Sequence, residues 1–225
     1  MTTSTLEGVE RAATWRLLAL GFAPPAEETL SDVEALASGL REVDPSPETA
    51  DVLAALEAGE LRELAAQYHA LFGGTVRVSP YEGGYELDPV RQGRQMADVA
   101  AFYRAFGAGP GGPAAERPDY VGCELEFLSY LELRKIEALE GNEDADLLDE
   151  IGDTFLRDHV GRWLPTFLAD VHEAAAEAPF YRALATLGSR TIETELERRA
   201  LEPRRLPQRR GRLPVERDSL ECGAV

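Results

Sequence analysis

The sequence predicts an all-α protein, folded as a single bundle-like domain of about eight or nine helices. Three observations carry this. Apolar residues recur at three- and four-residue spacing through most of the chain. Capping residues paired with proline (Ser46-Pro47, Asp88-Pro89, Pro118-Asp119) and glycine stops cut it into helix-length pieces. The one stretch showing alternation instead, residues 75–85, is too short for a sheet and reads as an ordered loop.

The elements follow in order. Residues 5–22 form a first helix, with Val9, Ala13, Leu17 and Leu20 along one face and Pro24-Pro25 beyond its end. A second covers residues 27–40, and a third starts at Ser46-Pro47, serine capping and proline in the first helical position. Leu61, Leu64, Tyr68 and Leu71 mark a fourth, stopped by Gly73-Gly74. After the loop, Asp88-Pro89 opens a helix carried by Val99, Phe102, Tyr103 and Phe106 to Gly107. Residues 107–113, GAGPGGP, form a flexible connection. They contain G-x-G-x-x-G, but a helix precedes and prolines intervene, so this is no dinucleotide fingerprint.

The central helix follows, from Asp119 to about residue 140, with Val121, Leu125, Leu128 and Leu131 on one face. Asp119 is read as its N-cap. Further helices take residues 143–159, a segment started by Pro165, and residues 180–201. The helical domain is thus placed at residues 1–202 and a disordered basic tail at residues 203–225.

The formal net charge is −18, which excludes nucleic acid as a natural partner. The tail carries +3, leaving −21 on residues 1–202. Either a basic partner or solubility and salt adaptation accounts for that acidity. No apolar run reaches the roughly 20 residues needed to span a bilayer, so no membrane insertion is expected. Cys123 and Cys222 lie far apart and suit a reducing cytoplasm.

Chemistry-bearing patterns are mostly missing. His69, His159 and His172 have no metal-ligand spacing, and neither a phosphate loop nor a nucleophile elbow is present. No catalytic residue, metal or cofactor is expected. The acids draw more interest. Glu116, Asp119, Glu124 and Glu126 cluster in sequence, and Glu82 and Glu86 lie in the irregular loop. A loop packed on the start of the central helix would gather them around Tyr81, Tyr85 and Tyr120. Carboxylate pairs and aromatic faces together suit guanidinium groups. Asp119 then has two readings, a helix cap or a guanidinium ligand.

The stretch from Glu116 onward, E-x-P-D-Y-V-x-x-E-L-E-F-L, resembles the signature of the TorD/DmsD/NarJ family of redox-enzyme maturation chaperones. Four further blocks recur in order. They are Tyr68-x-x-Leu71-Phe72-Gly73, Ser79-Pro80-Tyr81-Glu82-x-x-Tyr85, Phe106-Gly107, and Phe155-x-x-x-His159-x-x-x-Trp163-x-Pro165-x-Phe167. The resemblance covers residues 5–200 and departs at Tyr120, where the family usually has histidine. It implies a cytoplasmic binding protein rather than an enzyme. Such a protein would hold the twin-arginine signal peptide of the apo catalytic subunit of a molybdenum-cofactor oxidoreductase during cofactor insertion, before export. Carried over by position, the peptide-binding residues are Leu71, Phe72, Pro80, Tyr81, Glu82, Asp119 and Tyr120. Tyr120 removes any proton-dependent role there, because tyrosine does not titrate near neutrality. A monomer or a domain-swapped dimer is expected. A nucleotide-binding, hydrolase-like helical protein and a generic acidic scaffold are the alternatives.

Overall fold

Capping chemistry sets the first half of the chain. The computed structural model describes residues 3–43, 45–73, 76–107, 117–141 and 143–206. Helices α1 (Thr3–Gly21), α2 (Glu27–Val43), α3 (Pro47–Glu57) and α4 (Leu61–Phe72) succeed one another across short turns. Ser46 caps α3 by accepting from the Thr49 amide at 3.3 Å. A single 3₁₀ turn, Glu82–Gly84, lies in the loop before α5 (Pro89–Ala105). Asp88 caps α5, accepting from the Val90 amide at 2.9 Å. The second half holds α6 (Val121–Glu140), α7 (Asp146–Phe155), α8 (Gly161–Ala174) and α9 (Pro179–Arg198). All-α architecture is therefore confirmed. Among the described residues there are nine α-helical segments, and α7 and α8 join end to end into one rod. No described helix is long and apolar enough to cross a membrane.

The core runs along α6, as its apolar stripe demands. Helix α1 lies lengthwise against it, close enough for the Ser129 hydroxyl to donate to the Ala12 carbonyl at 2.8 Å. Val121, Leu125, Leu128 and Leu131 are all buried. The other helices wrap this pair, α9 packing on both α8 and α3. Below α6, Arg199 joins the buried carboxylates Glu132 and Glu195 at 2.8 and 3.1 Å and also reaches Asp153. Burial raises the Glu195 carboxyl, but Arg198 and Arg199 outweigh it and leave the group below its usual range.

Two expectations need correction. Asp119 caps nothing: Tyr120 occupies the N-cap position of α6, with no side-chain cap. Pro165 does not start a helix but sits inside α8. Between α7 and α8 the chain makes a π turn, Leu156–Val160, closed by the Gly161 amide on the Leu156 carbonyl. Because Pro165 lacks an N–H, the Gly161 carbonyl loses its helical donor. Arg205 replaces it, donating from Nη1 at 2.8 Å.

That contact belongs to a docked strip of chain extending past residue 202, where the tail was expected to begin. The Leu206 amide donates to the Arg162 carbonyl at 2.7 Å, Thr166 donates back to the Leu206 carbonyl at 3.0 Å, and the Leu206 side chain is buried. Residues 207–225 of the tail, Glu116, and the connection from residue 108 onward lie outside the described residues. Ending the chain after Leu201 is expected to cost about 2 kcal/mol relative to ending it after Leu206, the worth of one buried leucine. Paired urea melts measure this, and equal midpoints would show the strip contributes nothing.

Candidate functional site

The loop between α4 and α5 folds back onto the start of α6. The amides of Arg77 and Val78 both donate to the Leu71 carbonyl at 3.1 Å, turning the chain at the end of α4. An isolated antiparallel bridge then pairs Tyr81 with Tyr120. Its hydrogen bonds run from the Glu82 amide to the Asp119 carbonyl and from the Val121 amide to the Pro80 carbonyl, both at 2.9 Å. The bridge supplies a backbone reason for the juxtaposition the acid pattern suggested.

The expected binding residues fall into two groups. Pro80, Tyr81, Glu82, Asp119 and Tyr120 meet at the bridge. Leu71 and Phe72 lie behind it, where Phe72 packs edge-on to Phe22 and Tyr181. All seven except half-buried Tyr81 are buried. Tyr120 donates its hydroxyl to the Phe22 carbonyl, tying the bridge to the end of α1. Its hydroxyl also lies 3.3 Å from that of Tyr68.

Asp119 is 1% exposed and already holds a guanidinium. Arg117 Nε donates to Oδ1 at 3.0 Å and Nη2 to Oδ2 at 2.7 Å, the bidentate fork. The same guanidinium stands 4.5 Å over the Tyr81 ring. Asp119 Oδ2 further accepts from the Gly83 amide at 3.1 Å, which fixes the 3₁₀ turn. Arg117 itself is half exposed, so this seat opens to solvent.

Behind the seat lies a buried acid cluster. Glu82 Oε2 is 3.1 Å from His159 Nδ1, and its Oε1 accepts from Gln95 at 3.4 Å. Glu124 Oε2 accepts from the Trp163 indole N–H at 2.8 Å, while Oε1 has no partner. Burial first, and then the neighbouring Glu82 carboxylate, push the Glu124 carboxyl well above the usual range. Tyr103 closes the cluster and donates to the Pro118 carbonyl at 2.9 Å. Its phenol is raised by burial and by Glu124. Glu86 and Glu126 stand apart: Glu86 accepts from the Leu87 and Asp88 amides just before α5, and Glu126 is exposed and paired with Arg16.

His159 and Trp163 are the partners of these acids that sequence reasoning did not place at the site. Their signal was present in the His159-x-x-x-Trp163 spacing, which puts both rings on one helical face toward the acids.

Comparison with known proteins gives the chain's family. The model of the nitrate reductase delta subunit family matches residues 31–169, more than half of the chain. The chain belongs to that family. It is similar to the chlorate reductase assembly chaperone protein of Ideonella dechloratans, 32% identical over 63% of this chain and 73% of that one. It also resembles the selenate reductase assembly chaperone protein of Thauera selenatis, 36% identical over 46% and 55% of the two chains. The perchlorate reductase assembly chaperone protein of Dechloromonas aromatica is 29% identical over 54% of each. In the last two matches the chain spans just over half the relative's length. A putative redox enzyme maturation protein from Archaeoglobus fulgidus shares the fold, with a TM-score of 0.55 at 23% identity, over 81% of this chain and 93% of that one.

Proposed function

We propose that this member of the nitrate reductase delta subunit family is a cytoplasmic assembly chaperone for the catalytic subunit of a molybdenum-cofactor oxidoreductase. It binds that subunit's twin-arginine signal peptide and delays export until the cofactor is inserted. Kinship to three proteins named as reductase assembly chaperones supports the client class. The geometric observation that carries peptide recognition is the Arg117 seat. One guanidinium is gripped by the Asp119 fork and covered by the Tyr81 ring at a solvent-facing position. An arginine of a bound peptide, taking the place of Arg117, meets the same fork and the same ring.

A labelled twin-arginine peptide titrated at low and high salt tests this, with a twin-lysine version alongside. Affinity is expected to fall with salt and to drop about tenfold on the lysine change, since lysine has no planar fork. Equal affinity in every arm would remove the guanidinium reading. Asp119→Asn sharpens it. Asparagine still accepts from the Gly83 amide but offers one oxygen to a guanidinium instead of two. Peptide binding is expected to weaken about tenfold, the worth of a charge-assisted bond, with a melting shift of only a few degrees. Wild-type affinity in that variant would take Asp119 out of peptide contact.

A further inference from the structure

On a chain of net charge −18, one cavity is ringed by arginine. It measures about 810 Å³ and lies between α5, the π turn with the start of α8, and the docked strip. Arg94, Arg157, Arg162 and Arg204 line it together with His159. Arg157 is neutralised by a two-point pair with adjacent Asp158 at 3.1 Å. Among the described residues the other three arginines have no carboxylate partner, and Arg162 donates to the Asp158 carbonyl at 3.2 Å.

The second observation is His159 itself. It is 2% exposed, with Nδ1 held against Glu82 at 3.1 Å. Its Nε2 stands 3.3 Å from the Asp98 carboxylate, also on the cavity wall, but out of line, and makes no hydrogen bond. A buried ring nitrogen left unmatched costs free energy unless something in the cavity meets it.

We propose that this cavity is a binding site for a small phosphate-class anion, a phosphate ester or diphosphate. The volume lies within the range of small-molecule pockets. Guanidinium forks match phosphate oxygens two at a time. A hydrogen phosphate group can either donate to Nε2 or accept from it, so it satisfies His159 in either tautomer, whereas an ionised carboxylate can only accept. None of the cavity's lining residues belongs to the fork at Asp119, although His159 touches Glu82 behind it, and the proposal does not depend on the identity of any client.

The probe is pyrophosphate, titrated calorimetrically into the full chain, with sodium chloride at matched ionic strength as reference. Saturable one-to-one binding is expected with pyrophosphate only. Arg94 and Arg204 are exposed and make no hydrogen bond or ion pair among the described residues, so the Arg94→Gln, Arg204→Gln double variant is expected to fold normally. It is expected to bind at least about tenfold more weakly, from the loss of charge-assisted bonds. Arg134→Gln, a surface pair with Glu137 remote from the cavity, is expected to bind as wild type. No saturable heat beyond chloride, or equal weakening by the double variant and the Arg134 control, would overturn the site.

Discussion

Gly161→Ala is expected to destabilise the protein by about 3 kcal/mol, at the upper end of overpacking costs. A Cβ there would stand 2.4 Å from the Leu156 carbonyl oxygen and 2.6 Å from Pro203 Cγ. The first neighbour is backbone, locked in the π turn by the Gly161 amide, and cannot swing aside. Relief requires opening that turn, which also unseats the strip carrying Arg205 and Leu206. For a chain of this size the melting temperature is expected to fall roughly 6–12 °C. Because the π turn sets the register of His159, pyrophosphate affinity is expected to fall along with it. A melting shift under about 2 °C would mean the turn relaxes to an α-helix at little cost.

How much of this could be read in advance depends on the range over which each residue acts. Ser46 and Asp88 were legible as caps because a cap bonds an amide two or three residues away. Asp119 has the same residue type beside a proline, and local propensity makes it a cap. Its carboxylate instead serves Gly83, 36 residues away, and Arg117. Pro165 read as a helix start because an interior proline normally breaks a helix. It is tolerated because Arg205, forty residues later, satisfies the freed carbonyl. The docked strip hid for the same reason: prolines and paired arginines have no period, and Leu206 finds its partners on α8, at Arg162 and Thr166. At the site, the gathering of loop acids on α6 was foreseeable from composition. The burial of Glu82 and Glu124 was not, since it needs His159 and Trp163 as partners; beyond the family block that holds both, His159 was weighed only as a metal ligand and Trp163 not at all.

Stability should also depend on pH through Glu124, and the direction can be worked out. Its folded carboxyl is raised above the ordinary value by burial and by Glu82. Between the unfolded and folded values the native state keeps a proton that the unfolded chain has released. Stability must therefore fall as pH rises from about 4.5 toward the folded value. One proton gives a slope of up to about 1.4 kcal/mol per pH unit. Glu124→Gln removes that titration while its amide oxygen still accepts from the Trp163 indole. Wild type and variant are thus expected to match near pH 4.5. Above that the variant should be the more stable, by an amount that grows with pH up to the folded value. Glu124→Ala is the contrasting case. It also abolishes the titration but leaves the Trp163 N–H unmatched in a buried site, costing about 1–3 kcal/mol at every pH. Urea melts from pH 4.5 to 9 on the three proteins separate the effects. Parallel stability curves for wild type and Glu124→Gln would show that the glutamate is ionised throughout. The buried acids would then be carried by hydrogen bonds alone.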